Sequence, residues 1–509
     1  MWISLTAFID INFLIMIKIT RININRCKIS SDNEEDIDLC RKLMSFQIEG
    51  AEYSDLFKEG KWDGKHKFID RNCFIGLGLV PLLIEKLKKK KKEFRYTDYF
   101  IKDNKINICD IDERMFYYQN QSIQEFFKKN CGIIKVPPRG GKTYIASEMS
   151  RIFLDNFEKG SFLFIVDTED LYEQALDDIS SYLGLNISEI GQINSKNKIF
   201  KRVNVAMVQT LVSTFSKRTK DLKKKRSLLN FLKTVIFLSV DEVHENSSDK
   251  RIEVFKKCKN LQFLAAFSGT PKKQFGYIDN LKLQEYFGDI VYEIKKSQLQ
   301  QDGYLSMDKV FLIHVNHKNN SDFSDSEGYR EYLTNFIHKN DYRNSLICQA
   351  IDICIKNKWK TLVLFNSKVH GKIISEEMGI TFISGDDDTK TRKNEKNEFL
   401  SGRGKVLLAS NIFKKGITLP EAQVLIIGDG GQEGTNITQK YSRVLGVTKD
   451  KTKAAIIDFM DSGVDYFNEH SLNRLSIYSE EMGDKNIEVY DGHQLSFLEE
   501  GMSEWLNSD

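Results

Sequence analysis

The sequence predicts an α/β protein in which two tandem domains, each built on a parallel sheet, follow a small α+β accessory domain. The first observation is a repeating pattern from about residue 110, in which short apolar runs alternate with amphipathic helical stretches. Such runs are typical of strands buried on both faces of a parallel sheet. The second observation is that this pattern pauses near residue 300 and then resumes. The third is the length of 509 residues, which exceeds what one hydrophobic core holds and favours about three domains.

The order of the elements divides the chain into four predicted segments. These are an accessory domain at 1–105, a first parallel-sheet domain at 106–298, a second at 299–462, and a tail at 463–509 that packs on the second. In the accessory domain, "MIKITRININRCKIS" alternates like a single β-strand from Met16 onward. The fifteen residues before it are either an upstream extension or an additional strand.

The strands of the two larger domains are predicted from their apolar runs. In the first domain the runs are "CGIIKV", "SFLFIV", "VNVAMV", "TVIFLSVD" and "LQFLAAFSGT". The segment "DGYLSMDKVFLIHV" leads into the second domain, where the runs are "KTLVLFN", "ITFIS", "KVLLAS", "AQVLIIGD" and "AAIIDFMD". In the tail we expect one helix and one short strand.

Composition limits the class of protein and its surroundings. Hydrophobic residues make up 41% of the chain and charged residues 29%, which indicates a folded chain. The net charge is only +3, from 75 basic and 72 acidic residues, so global charge does not indicate a nucleic-acid partner. A local lysine run at 86 and 88–92 is either a solvated helix end or a phosphate-contacting patch.

The cysteines and the start of the chain favour a cytoplasmic protein without a membrane partner. Eight cysteines stand apart with no Cys-x-x-Cys pair, which argues for a reducing compartment and against a structural metal. Asp10 and Asn12 interrupt the apolar start, and no charged region precedes it, so neither a signal peptide nor a membrane span is expected.

A phosphate-binding loop is predicted in "IIKVPPRGGKT". The loop lies between a strand and a helical pattern, where backbone N–H groups at the start of a helix bind phosphate. Gly140 and Gly141 would let the backbone approach the phosphates, Lys142 would reach the β- and γ-phosphates, and Thr143 would hold Mg²⁺. A Walker A motif has glycine where this chain has Val136.

A second motif, which consists of two carboxylates, follows the strand "VIFLSV". Asp241 would bind Mg²⁺ and Glu242 would orient and activate the attacking water. The alternative is an acidic turn at the surface. An apolar run that ends in two carboxylates, about a domain's length after a Gly-Lys-Thr loop, favours an ATP-hydrolysing site.

The ordered motifs resemble those of superfamily 2 helicases of the DEAD/DEAH type. "DEVH" and "FSGTP" resemble motifs II and III, "LFNSKVHGKIISEEM" resembles motif IV, "LLASNIFKKGITLPEAQVLI" resembles motif V, and "TQKYSRVLG" resembles motif VI. The resemblance covers about residues 115 to 465 and implies two RecA-like domains, the first of which binds ATP. "GKWDGKHKFI" and "CFIGLGLVPLLIEKL" resemble the accessory domain of phage UvsW-like enzymes, which implies a nucleic-acid-binding role for 1–105.

The resemblance assigns roles to further residues. Gln119 would meet adenine, Gly416 would lie at the nucleotide, Arg443 would supply positive charge to the γ-phosphate, and Gln439 would position the nucleotide or the water. Three residues would couple hydrolysis to movement and three would contact nucleic acid, and two lysines of the local run would join the latter if that run is a phosphate-contacting patch. The coupling residues are His244, Ser268 and Thr270, and the contact residues are Gln209, Thr210, Trp62, Lys88 and Lys90. Trp62 could instead be a packing anchor of a local turn.

Three positions depart from the family pattern. Arg139 stands where glycine is usual, so we expect Gly140 to supply the flexibility of the loop. Ser442 replaces the glycine of motif VI, and Gly446 stands where a second arginine is expected. Either Arg443 suffices, or Arg139 or Lys449 compensates, or hydrolysis is slow.

The resulting prediction is an ATP- and Mg²⁺-dependent DNA helicase or translocase that acts on branched or forked DNA in recombination, replication or repair. ATP would favour closure of the two domains and hydrolysis would permit opening. We expect a monomer acting in the cytoplasm, that of the host cell if the gene is carried by a phage. The alternatives are an ATP-gated nucleic-acid-binding protein with weak turnover, a translocase subunit of a restriction or defence system, and an RNA helicase.

Overall fold

The computed structural model describes residues 16–100, 106, 108, 111–216, 221–246, 248–269, 277–317, 329–410, 419–430 and 434–508. Within them the chain separates into two compact units. The first contains the described residues up to Lys135, with Tyr144–Asp167 and Ile179–Glu293. The second contains Val136–Thr143, Thr168–Asp178 and the described residues from Ile294. The bounds of the four predicted segments stay a prediction.

The accessory segment of the first unit forms a four-stranded and a two-stranded sheet with short helices. Its strands are β1 (Ile17–Arg21), β2 (Arg26–Ser30), β3 (Ser45–Gln47), β4 (Lys65–Lys67), β5 (Phe74–Gly76) and β6 (Phe94–Asp98). Its helices are α1 (Glu34–Leu43), α2 (Asp55–Lys58) and α3 (Val80–Lys89). The larger sheet has the order β5-β2-β1-β6, and β3 pairs with β4.

The predicted single strand at residues 16–30 is wrong, because the structure has two strands there. β1 and β2 pair antiparallel around a turn. The side chain of Asn23 accepts a hydrogen bond from the backbone N of Asn25 at 3.2 Å, which stabilises the reversal. Within the turn, Ile22 and Ile24 still alternate with polar residues, so the pattern there resembles that of a strand.

An eight-stranded sheet forms the centre of the first unit, with the order β10-β9-β11-β8-β12-β13-β7-β14. Its strands are β7 (Cys131–Lys135), β8 (Ser161–Val166), β9 (Gly191–Ile193), β10 (Lys198–Ile199), β11 (Val203–Met207), β12 (Val235–Val240), β13 (Phe263–Ser268) and β14 (Ile290–Glu293). The surrounding helices are α4 (Tyr117–Lys129), α5 (Lys142–Asn156), α6 (Glu169–Leu183), α7 (Val208–Phe215), α8 (Leu222–Leu232), α9 (Asp249–Phe255) and α10 (Tyr277–Phe287).

The accessory segment packs directly on α10 within the first unit. A Cβ atom on Gly76 would lie 2.2 Å from the backbone oxygen of Glu285, and one on Gly78 would lie 2.0 Å from that of Gln284. Glycine is therefore required at both positions. The Asn25 side chain also donates a hydrogen bond to the backbone oxygen of Tyr286 at 3.0 Å.

A seven-stranded parallel sheet forms the centre of the second unit, with the order β17-β18-β16-β19-β20-β15-β21. Its strands are β15 (Met307–Asn316), β16 (Thr361–Phe365), β17 (Phe382–Ile383), β18 (Val406–Ser410), β19 (Val424–Ile427), β20 (Lys453–Ser462) and β21 (Ile487–Asp491). Its α-helices are α11 (Lys296–Gln301), α12 (Tyr329–Tyr332), α13 (Asp341–Lys356), α14 (Lys368–Met378), α15 (Thr389–Leu400), α16 (Gly434–Tyr441), α17 (Asp465–Met482) and α18 (Leu495–Asn507).

The tail contains two helices and a strand, where one helix and a strand were predicted. β21 pairs in parallel with β15 at the edge of the sheet. The additional helix, α18, buries Leu495, Leu498 and Met502 in the core of the second unit. The α/β fold class, with two parallel sheets after a small accessory segment, is confirmed.

The described cysteines are free thiols. Six are buried and Cys73 is half-buried; the six are Cys27, Cys40, Cys131, Cys258, Cys348 and Cys354. Burial raises the pKa of the Cys131, Cys258 and Cys354 thiols to about 12. None of the helices in the described ranges is long and apolar enough to span a membrane.

Candidate nucleotide and nucleic-acid sites

The phosphate loop lies between β7 and α5, as the sequence predicts. Gly141 has a φ of 76° and Lys142, which is buried, begins the 15-residue helix α5. A Cβ atom on Gly140 would lie 2.3 Å from Cγ1 of Val136, so glycine is required there for close packing. Backbone N–H groups at such a helix start suit phosphate oxygens.

The expectation that Gly140 supplies the flexibility of the loop is wrong. The two residues of the loop with left-handed backbone are Arg139, with a φ of 73°, and Gly141. Gly140 does not have a positive φ. A left-handed backbone costs a non-glycine residue about 1 to 2 kcal/mol. Surrounding contacts must therefore hold Arg139 in place.

Those contacts lie within the second unit and reach motif VI. Nε of Arg139 donates to the backbone oxygen of Ser442 at 3.2 Å, and Nη2 donates to the backbone oxygen of Arg443. A Cβ atom on Gly446 would lie 3.6 Å from Nη1 of Arg139 and 2.8 Å from Cβ of Pro420. Arg139 thus occupies the space next to the position where the second arginine of motif VI is expected.

Motif VI is held to its sheet by a buried ion pair. Nζ of Lys440, on α16, lies 2.7 Å from Oδ2 of Asp429, which follows β19. Gln439 is half-buried on the same helix and Arg443 is buried in the turn that follows it. Burial, and then the charge of Arg139, lowers the pKa of Arg443 to about 9. An anion would relieve this accumulation of buried positive charge.

The carboxylate motif follows β12 in the first unit. The backbone N of Asp241 donates to the oxygen of Ile165 at 2.9 Å, which extends the pairing with β8 by one residue. Asp241 is buried and Glu242 is half-buried. Glu242 has a φ of 43°, and its backbone N donates to Oδ1 of Asp241 at 2.9 Å. Strained backbone of this kind is characteristic of functional sites.

Sheet order brings the hydrolytic elements of the first unit to one edge. β13 lies between β12 and β7, and all three run parallel. Their carboxyl ends therefore place the Asp241–Glu242 turn, Ser268 and the start of the phosphate loop at the same edge. Nδ1 of His244 lies 2.8 Å from Oγ of Ser268 and 3.3 Å from Oε2 of Glu242.

Gln119 is buried near the start of α4. Its Oε1 accepts a hydrogen bond from the backbone N of Phe116 at 3.0 Å, which caps the helix. Phe116 and Tyr117 expose their rings beside it. The assigned contact of Gln119 with adenine stays a prediction.

The predicted nucleic-acid residues differ in exposure. Gln209 is exposed at the start of α7, whereas Thr210 is buried. Lys88 and Lys90 are exposed at the end of α3. Nε1 of Trp62 donates to the backbone oxygen of Lys65 at 3.1 Å, which supports the packing-anchor alternative for the tryptophan. Thr270 and Gly416 lie outside the described residues.

Three polar residues of this region received no role of their own from the sequence: Asp167, Asn246 and Arg251. Nη2 of Arg251 lies 2.7 Å from Oδ1 of Asp167, and Nη1 donates to Oδ1 of Asn246 at 3.3 Å. Asn246 is two residues beyond the "DEVH" motif, and Arg251 has no motif of its own. No spacing rule connects the three.

Comparison with known families identifies the class to which this fold and site belong. Three family models match: the res subunit of type III restriction enzymes over residues 112–273, the helicase conserved C-terminal domain over 342–445, and the N-terminal domain of the DNA helicase UvsW over 17–102. The chain is a superfamily 2 helicase with a UvsW-type N-terminal domain, as the motifs predict. ATP use follows from this class.

Individual relatives extend over most of the chain. ATP-dependent DNA helicase uvsW of Enterobacteria phage T4 is 25% identical over 483 residues, which cover 87% of this chain and 93% of that protein. DNA 3'-5' translocase XPB2 of Sulfurisphaera tokodaii is 24% identical, with coverage of 82% and 96%. The structure of S. cerevisiae Dbp5 bound to RNA and ADP BeF3 has a TM-score of 0.52 at 14% identity and covers 85% of this chain and 98% of that chain. This last similarity concerns the fold alone.

Proposed function

We propose that the protein is an ATP-dependent DNA helicase or translocase that acts on branched or forked DNA in recombination, replication or repair. The observation that carries the proposal is the order β12-β13-β7, which gathers the carboxylate turn, Ser268 and the start of the phosphate loop at one sheet edge. The relative from phage T4, which has an N-terminal domain of the same family, supports DNA as the substrate.

The proposed chemistry is hydrolysis of the terminal phosphate of ATP. The oxygen of a water bonds to the γ-phosphorus, the bond from that phosphorus to the β–γ bridging oxygen breaks, and ADP leaves with the electron pair. Glu242 orients the water and accepts its proton, Lys142 holds the phosphates, and Arg443 stabilises charge on the γ-phosphate. Gln439 positions the nucleotide or the water.

The loop and the carboxylates also fit a divalent cation. Thr143 offers a hydroxyl at the start of α5, and Asp241 offers a buried carboxylate at the end of β12. Oxygen ligands of this kind suit Mg²⁺, which would neutralise phosphate charge when bound. We further propose that the protein works as a monomer in the cytoplasm, with Gln209, Lys88 and Lys90 contacting the nucleic-acid backbone without sequence preference.

Steady-state ATPase measurements test the proposal. We expect forked and single-stranded DNA to stimulate the wild-type protein. Lys142→Ala should lower kcat at least about 100-fold, because it removes the positive charge that would face the phosphates. Glu242→Gln should bind ATP but hydrolyse it about 100-fold more slowly. Lys159→Ala, which removes an exposed lysine of the first unit, is the matched control.

The same assay separates the alternatives. Stimulation by RNA as strong as that by DNA would favour an RNA helicase. If the wild-type protein hydrolysed ATP no faster than Lys142→Ala while ATP still changed its affinity for DNA, the motor function would be contradicted. An ATP-gated nucleic-acid-binding protein would then remain. Displacement of a labelled strand from a fork checks unwinding, and light scattering checks the monomer.

A further inference from the structure

A buried amide contributes to holding the turn that carries the hydrolytic carboxylates. Nδ2 of Asn246 donates to the backbone oxygens of Asp241 at 3.4 Å and Glu242 at 3.2 Å. Asn246 is 1% exposed. A left-handed glutamate persists only where its surroundings fix it, so Asn246 helps to set the direction of the Glu242 side chain.

Arg251, on α9, joins this amide to a second strand end. One arm of its guanidinium donates to Oδ1 of Asn246 and the other pairs with Oδ1 of Asp167, which follows β8. The planar fork fixes both partners in one geometry, whereas a lysine ammonium is a point charge without that fixed fork. The Arg251 side chain therefore adds a connection between the hydrolytic turn and the segment after β8.

The Asp167 carboxylate is shared with a residue predicted to contact nucleic acid. Nε2 of Gln209 donates to Oδ1 of Asp167 at 3.0 Å and also to the backbone oxygen of Asp167. This is the same carboxylate oxygen that Arg251 binds. A nucleic-acid strand that engages the exposed Gln209 amide would draw it away from that oxygen, and the geometry of the ion pair with Arg251 would change.

We propose that Arg251 is a positioning residue that transmits nucleic-acid binding at Gln209 to the hydrolytic turn through Asp167 and Asn246. The inference rests on the proposed function, since it requires a DNA-stimulated ATPase. It adds the physical connection by which DNA changes the rate of ATP hydrolysis. The guanidinium of Arg251 moves with Asp167, and the Asn246 amide moves with the guanidinium. The backbone oxygens of Asp241 and Glu242 then shift with that amide.

Three variants isolate this connection. Arg251→Ala removes both arms of the fork. Arg251→Lys keeps the positive charge but loses the planar fork that fixes Asp167 and Asn246 in one geometry. Asp167→Asn keeps the shape of the side chain and removes the charge that attracts the guanidinium. Lys250→Ala is the matched control, because Lys250 is an exposed cation adjacent on the same helix.

The measurement is kcat with no DNA and with saturating single-stranded DNA. In all three variants we expect the DNA-free kcat to stay within about 2-fold of wild type, while the DNA-stimulated kcat falls about 10-fold, a typical size for coupling between two sites. The DNA concentration for half-maximal stimulation should change less than about 3-fold, since the contact residues remain. Lys250→Ala should keep full stimulation.

Two results would overturn the inference. Full stimulation in Arg251→Lys and Asp167→Asn would show that no signal passes through the fork. An equal fall of kcat with and without DNA, together with a lower melting temperature, would indicate a purely structural contact. Absence of DNA stimulation in the wild-type protein would instead contradict the proposed function, so the two failures are distinguishable.

Discussion

The imidazole of His244 joins the hydrolytic turn to the neighbouring strand, with Nδ1 2.8 Å from Oγ of Ser268 and 3.3 Å from Oε2 of Glu242. His244 and Ser268 are both buried. A buried hydrogen bond of this kind responds to small shifts of either partner, because leaving one group unpaired is costly. A change at Glu242 on hydrolysis therefore reaches the end of β13 directly.

Replacement of Ser268 should separate hydrolysis from strand separation. For Ser268→Ala we expect DNA-stimulated ATPase within about 3-fold of wild type and about 10-fold less strand displaced per ATP, since a lost buried hydrogen bond costs about 1 to 3 kcal/mol. Parallel ATPase and fork-unwinding assays check this. Ser248→Ala, at an exposed serine nearby, is the control. Equal losses in both assays would contradict a coupling role.

Replacement of Arg139 should lower activity without lowering stability. Arg139→Gly suits the left-handed backbone and removes a half-buried cation that has no carboxylate partner among the described residues. We expect kcat to fall about 100-fold, because the two hydrogen bonds that position Arg443 are lost. Thermal melting should show no decrease. Arg403→Gly, at an exposed arginine of the second unit, is the control.

Two further results bear on Arg139. Added guanidinium should restore part of the kcat of Arg139→Gly and leave wild type unchanged. A lower melting temperature with activity reduced only in proportion to the folded fraction would indicate a structural role. If Lys449→Ala lost activity and Arg139→Gly did not, Lys449 would be the residue that compensates for Gly446.

Acid should destabilise the second unit through His370. Burial, reinforced by Arg343 and His338 and opposed by Asp461, lowers the pKa of His370 to about 2. Its Nε2 lies 2.9 Å from Oδ1 of Asn344. Between that value and about 6.5 the unfolded chain binds a proton that the folded chain does not. The stability is therefore complete above about pH 6.5 and decreases as the pH falls below it.

Urea unfolding at pH 7.5 and 5.5 measures this effect. The wild type should lose about 1.4 kcal/mol more between these two values than His370→Gln, which keeps a neutral hydrogen-bonding side chain. Other histidines contribute equally to both proteins and cancel in the difference. Identical losses in the two proteins would show that His370 is not held neutral by the fold.

The predictable parts of the structure have local patterns. β8 and β13 are buried at every position, and such continuous runs are visible in sequence. The phosphate loop and the Asp-Glu motif each follow the carboxyl end of a parallel strand, where such sheets place their binding loops. The contacts of Arg251 could not be predicted, because they join the segments after two separate strands by side-chain reach alone. Arg139 was misjudged because a left-handed arginine is uncommon without contacts that only the structure shows.

The buried thiols make this chain a convenient starting point for observing domain motion. Only thiolates react readily with maleimide dyes, and burial raises the pKa of Cys131, Cys258 and Cys354 to about 12. A cysteine introduced on an exposed face of each unit would therefore be modified in preference to these native ones. A donor and acceptor pair attached in this way would report opening and closing in real time on single molecules, with most native cysteines left in place.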